Sequence, residues 1–154
     1  MAHLQIKNWI NGVVIYEGEA ENLRDLVGSA VKSGANLSRA DLSRANLSGA
    51  NLSGADLSGA NIKQHFFFFS GVGSAKRTTQ YWVEAKEITC GCFRGTPKEF
   101  ITKFEETHAN NPKHLAEYRA GIAFFRACLK AIPKDELAAS KKEYSEMIAK
   151  SEAK

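Results

Sequence analysis

A chain of 154 residues, 44% hydrophobic and 25% charged, has the length and composition of one globular domain, with or without an appendage. It holds no apolar run of membrane-spanning length. Its opening MAHLQIKNW lacks the basic-then-apolar order of a signal peptide, and its three cysteines form no disulfide framework, so a reducing cytosol is the expected setting. The net charge of +4 lies entirely in residues 65–132, with ten basic and six acidic side chains, a local positive field that suits an anionic ligand or an acidic partner.

In chain order, QIKNWINGVVIYEGE (5–19) reads as two β-rich runs about Asn11-Gly12, the strongest short hairpin signal. NLRDLVGSAVKSGA (22–35) follows. Leu23, Leu26, Val27, Ala30 and Val31 fall on one helical face, Asn22 is the N-cap, and Gly34 stops the helix.

From Ala35 to Gln64 six pentads run in the register Ala-(Asn/Asp)-Leu-Ser-(Arg/Gly), the last of them ANIKQ. Leu37, Leu42, Leu47, Leu52, Leu57 and Ile62 share one position and form the expected core. A period of five fits neither the 3.6 of a helix nor the 2.0 of a strand. The chain must therefore turn once per repeat, with Leu inward, Ala allowing close approach, and Asn, Asp, Ser and Gly at the corners. One repeat buries little, and stacked repeats share a core. The segment resembles the pentapeptide-repeat family, whose pattern is A(D/N)LXX. That resemblance implies a right-handed, quadrilateral β-helix with four repeats per coil, here about 1.5 coils. Long towers of the family mimic duplex DNA and block gyrase. Residues 19–64 carry five charges of each sign, whereas such a mimic needs a strongly negative surface.

Phe66–Phe69 read as a run buried on both faces, closing the last coil and packing against C-terminal helices. A glycine-rich turn and two strands are expected next, Arg77–Glu84 and Glu87–Phe93, joined at Ala85-Lys86. Thr96-Pro97-Lys98-Glu99 is a capping box with Pro at the first helical position. Phe100, Phe104 and His108 lie along the helix it opens, and ANNP breaks that helix. A second helix after Pro112 aligns Leu115, Tyr118, Ile122, Phe125 and Leu129. Pro133 ends it, and the charged tail carries a thin stripe of Leu137, Tyr144 and Ile148. The fold class expected is α+β: a short β-helix capped by a hairpin and helix, then a β-hairpin and two to three helices. Its divisions are a hairpin-helix cap (1–34), the repeats (35–69), a strand-helix module (70–132) and a charged helical tail (133–154). SGVGSAKRTT, CGCFRGTPKEF and the following His and Tyr resemble a module found after short pentapeptide runs in bacteriophage and prophage proteins, which implies the cytoplasm of an infected or lysogenic bacterial host.

Binding is favoured over catalysis. Ser74, Lys76, Arg77, Thr78 and Thr79 form a turn rich in hydroxyls and cations, and Arg94 and Thr96 precede a helix whose N-terminus favours anions. Together with Trp82, these residues are the expected site for a small anionic, nucleotide-like ligand, with Tyr81 and Phe93 as further stacking surfaces. If Cys90 and Cys92 lay on one face of a strand, they could form half of a zinc site with His65, His108, His114 or Cys128, or a thiol served by His108. Small buried residues are the simpler reading. No catalytic residue, metal ligand or cofactor is assigned. A host protein as partner and a homo-oligomer are also expected.

Overall fold

The computed structural model describes residues 1–73 and 75–152. It is a mixed α+β fold of two compact units: Met1–Gln64 with the segment from Glu143 onward, and His65–Lys142.

In the first unit β1 (Ala2–Lys7) and β2 (Val14–Ala20) pair antiparallel. Asn11 and Gly12 lie in the connection, but the strands stop short of a two-residue turn. The segment between them closes through Asn8 N–H to Val13 O at 2.8 Å and Gly12 N–H to Asn8 O at 2.8 Å, with Gly12 left-handed at φ 72°. Helix α1 (Leu23–Lys32) begins where Asn22 accepts the Asp25 N–H, and it lays Leu26, Val27 and Ala30 against the hairpin. The hairpin is stitched to the second and fifth pentads. Asp41 N–H donates to Lys7 O at 2.7 Å, and the Trp9 indole donates to Gly59 O at 2.8 Å.

The pentads repeat one local device. Each Asn or Asp from position 36 to 56 accepts the N–H of the Ser two residues on, at 2.8–3.2 Å. Each following Ala donates to the preceding Leu carbonyl, at 2.8–3.1 Å. Arg39, Gly49, Gly54 and Gly59 take left-handed φ at the corner. Leu37, Leu42 and Leu47 are fully buried and Leu52 nearly so, whereas Leu57 and Ile62 are half-buried. The expected β-helix is not seen as a closed coil: among the described residues, 35–64 form repeated turns without regular strands. Among the described residues, 35–64 are paired by isolated bridges, of which Asp41–Asn61 is parallel and links positions four pentads apart. The physical reason is that the turn takes up most of each five-residue repeat, leaving too little extended chain for a ladder.

The second unit is a four-stranded antiparallel meander in the order β3 (Phe66–Val72), β4 (Arg77–Trp82), β5 (Glu87–Cys90), β6 (Phe93–Gly95). One face packs on α2 (Pro97–Thr107) and α3 (Pro112–Ala131) around Tyr81, Ile88, Phe100, Phe104, Tyr118, Ile122 and Phe125. Helix α4 (Lys134–Glu152) follows and contributes to both units. The capping box at Thr96 and Glu99 forms as expected. The phenylalanine run belongs to this unit and alternates. Phe67 and Phe69 join the core, while Phe68 on the other face is 56% exposed, so the run is not buried on both sides. Gly121 of α3 is bare because the Phe69 ring occupies the place of its Cβ.

Candidate functional site

The sheet pleat decides which of the expected ligand residues can meet. Cross-strand partners share a face: Thr79 with Cys90, and Thr89 with Arg94. By alternation Arg77 and Thr79 stand with Tyr81 on the helix-covered face, whereas Thr78, Trp82 and Arg94 stand on the opposite one. The eight residues are therefore divided rather than gathered. Trp82 is 1% exposed and stacks on Phe66 at 4.9 Å, so it is closed to a ligand base. Arg94 pairs with Glu87 at 2.8 Å. Thr96 is engaged in its capping box, its N–H and hydroxyl both donating to Glu99, which holds the Glu99 carboxyl below its ordinary range. Tyr81 is buried in the core and Phe93 packs on Phe100. Ser74 lies outside the described residues.

Lys76 and Arg77 remain, both exposed, at the turn into β4, with Lys76 left-handed at φ 46°. Among the described residues Arg77 makes no ion pair. Its guanidinium lies where a Cβ on Gly91 would stand. Around it cluster groups the sequence reading did not assemble. Thr79 Oγ1 donates to Cys90 Sγ at 3.2 Å, and Tyr118 stands near the same thiol. Burial first, then the Cys90 thiol, pushes Tyr118 above the ordinary phenol range, against the pull of Arg77. Glu117 accepts the Gly73 N–H at 2.8 Å. Cys90 and Cys92 do not share a strand face, because Gly91 and Cys92 form the turn between β5 and β6. His108 stacks on Tyr118 at 5.3 Å and meets His114 edge-on. No cluster of three or more His, Cys, Asp or Glu suited to a metal occurs among the described residues.

A second polar site surrounds His65. His65 Nδ1 lies 2.7 Å from Glu84 Oε1 and its Nε2 lies 2.9 Å from Glu136 Oε1. The Glu84 side chain is 1% exposed, and both of its oxygens accept the His65 N–H. Each ring nitrogen faces a glutamate oxygen, an arrangement that favours the imidazolium cation over the neutral ring. Burial, the largest influence, disfavours that cation, but Glu136 and Glu84 together outweigh it and hold His65 above the ordinary histidine range. The signal in the sequence was thin: one histidine, with its partners 19 and 71 residues away.

The five-residue turn recurring with its parallel bridge four pentads on is the feature that a family comparison addresses. Residues 33–64 match the family model of the pentapeptide repeats, in eight copies. No curated protein and no solved structure matches the chain. The pentapeptide-repeat segment is thus a repeat module, and its match ends where the second unit begins. No helix among the described residues is long and apolar enough to cross a membrane.

Proposed function

We propose that the chain is a non-enzymatic binding protein of phage or prophage type. Its pentads wind as a short right-handed, four-sided β-helix, and its strand-helix module captures a small anionic, nucleotide-like ligand. Such a ligand would be a host-defence signal, sequestered in the bacterial cytoplasm as counter-defence. The coil is supported by the bridge from Asp41 to Asn61. The ligand reading rests on Arg77, a cation without an ion-pair partner among the described residues, seated over a glycine beside exposed Lys76. A guanidinium so placed offers a fork of donors to phosphate. Residues 70–98 hold five basic and two acidic side chains.

The test is calorimetric titration of a panel of mono- and cyclic nucleotides. The expected result is binding of at least one member that Arg77→Ala weakens by about ten- to a hundredfold, the value of one charge-assisted hydrogen bond. Binding by none, or binding indifferent to Arg77→Ala, refutes the reading.

A second reading, a protein-binding or oligomeric scaffold aimed at a host factor, is favoured by the hairpin end. There Trp9, Ile10, Val13 and Val14 are 39–61% exposed on consecutive turns of chain. It predicts a stable multimer or a captured host protein, lost on Ile10→Lys and Val13→Lys. The charge-balanced repeats leave a gyrase-directed DNA mimic without electrostatic support.

A further inference from the structure

Apart from Arg77, the groups around Cys90 serve no purpose in ligand capture, yet they are built into place. Thr79, fully buried on the adjoining strand, donates its hydroxyl to the Cys90 sulfur. Tyr118 of α3 stands near the same thiol, its hydroxyl filling the space beside Gly73. Arg77 lies over Gly91, between the two cysteines. Two glycines are the negative image of this arrangement. A Cβ on Gly91 would collide with Arg77, and a Cβ on Gly73 would stand 2.7 Å from the Tyr118 hydroxyl oxygen. Both glycines are left-handed, so no other residue fits either place without strain. Cys90 is half-buried and Cys92 exposed in the adjoining turn. Cys128 is half-buried too, but among the described residues it has no hydrogen-bond partner.

We propose that Cys90 is an oxidation site for hydroperoxides, with Cys92 as its resolving thiol. The Cys90 sulfur attacks one peroxide oxygen. An S–O bond forms as the O–O bond breaks, and the departing oxygen takes the bond pair and the thiol proton and leaves as water or an alcohol. Cys90 is thereby oxidised by two electrons to a sulfenic acid and the peroxide is reduced. The Cys92 sulfur then attacks the Cys90 sulfur, an S–S bond forms, and the sulfenic oxygen leaves as water with the Cys92 proton. Disulfides tolerate Cα separations of about 4.4–6.8 Å, which a two-residue step around a turn meets. The Thr79 hydroxyl orients the sulfur, and the guanidinium receives the negative charge that develops on the departing oxygen. Reactive cysteines are partly exposed and have a cation at hand, and here Arg77 supplies the cation while the Glu117 carboxylate is held by the Gly73 N–H. The inference shares Arg77 with the ligand reading but does not depend on it, since a chain that binds no nucleotide still oxidises.

The test treats the reduced full-length chain with hydrogen peroxide, quenches it with an alkylating reagent over time, and follows each cysteine by peptide mass. Cys90 is expected to be consumed about tenfold or more faster than Cys128, which serves as the internal standard. The product is a Cys90–Cys92 disulfide, lighter by two hydrogens. In Cys92→Ser the sulfenic acid persists and is trapped by dimedone. Arg77→Gln, a change on an exposed side chain, slows Cys90 alone, and Thr79→Ser keeps the wild-type rate where Thr79→Val does not. Cys90 reacting no faster than Cys128 overturns the proposal. So does an Arg77→Gln protein with unchanged Trp82 emission and an unchanged Cys90 rate.

Discussion

The pentapeptide-repeat segment and the sheet-helix unit bury similar kinds of side chain by opposite means. In the repeats, each hydrogen bond within a pentad spans two or three residues, and the same Asx turn recurs from Asn36 to Asp56. In the second unit the core joins strands to helices far along the chain, as where Phe69 meets Phe125 at 5.0 Å and Tyr81 meets the same ring at 5.7 Å. Local order gives a predictable backbone but a thin core of one leucine per pentad. Non-local order gives an aromatic core and, at its margin, two polar sites.

The largest expected effect separates the two most directly. Phe125→Ala should cost about 3–5 kcal/mol and Leu47→Ala about 2–5 kcal/mol, each measured by urea denaturation. If the units are energetically distinct, the first shifts the transition seen by Trp82 and the second that seen by Trp9; one shared transition in both variants breaks the distinction. Gly121→Ala comes next. Helix propensity favours alanine, but the new methyl enters the Phe69 ring, so a net loss of about 1–3 kcal/mol is expected, visible as a lowered midpoint. A stabilised Gly121→Ala would mean that Phe69 moves aside cheaply.

Smaller still is Asn51→Ala. It removes the acceptor for the Ser53 N–H at 3.0 Å and should cost about 0.5–1 kcal/mol. The same change at another pentad should cost the same, since the device is repeated. The subtlest effect is in pH. The folded-state pKa of His65 is raised, so the stability it contributes is complete below the ordinary histidine value of about 6.5 and is lost as pH rises through the folded value. Glu136 is exposed, so Glu136→Gln should cost only about 0.2–1 kcal/mol while flattening that slope. A titration of the His65 ring by NMR, with and without Glu136→Gln, measures it.

Much of the architecture could be read from particular residues. The period of five announced a turn per repeat, Asn22 and Thr96 announced helix starts, and Pro112 and Pro133 bounded α3 and α4. Strand β6 is not legible in the sequence because three residues carry no periodicity, and because the Gly91-Cys92 turn interrupts what looks like one continuous strand. Phe66–Phe69 looked uniformly buried because an unbroken apolar run hides its own alternation. The site was legible as residue types but not as a place. Thr78 and Thr79 are neighbours in sequence yet face opposite sides of the sheet, a parity that could have been applied to Arg77, Trp82 and Arg94 as well. His65 with its carboxylates, and Cys90 with Tyr118, required tertiary contacts that no spacing encodes.

The two tryptophans have a practical consequence. Trp9, 53% exposed, sits in the first unit, and Trp82, 1% exposed, sits in the second. One indole is wet and the other dry, so a collisional quencher such as acrylamide should silence the first long before the second. The chain thus carries two spectrally separable native fluorophores, one for each half, and needs no attached dye for either to be watched on its own.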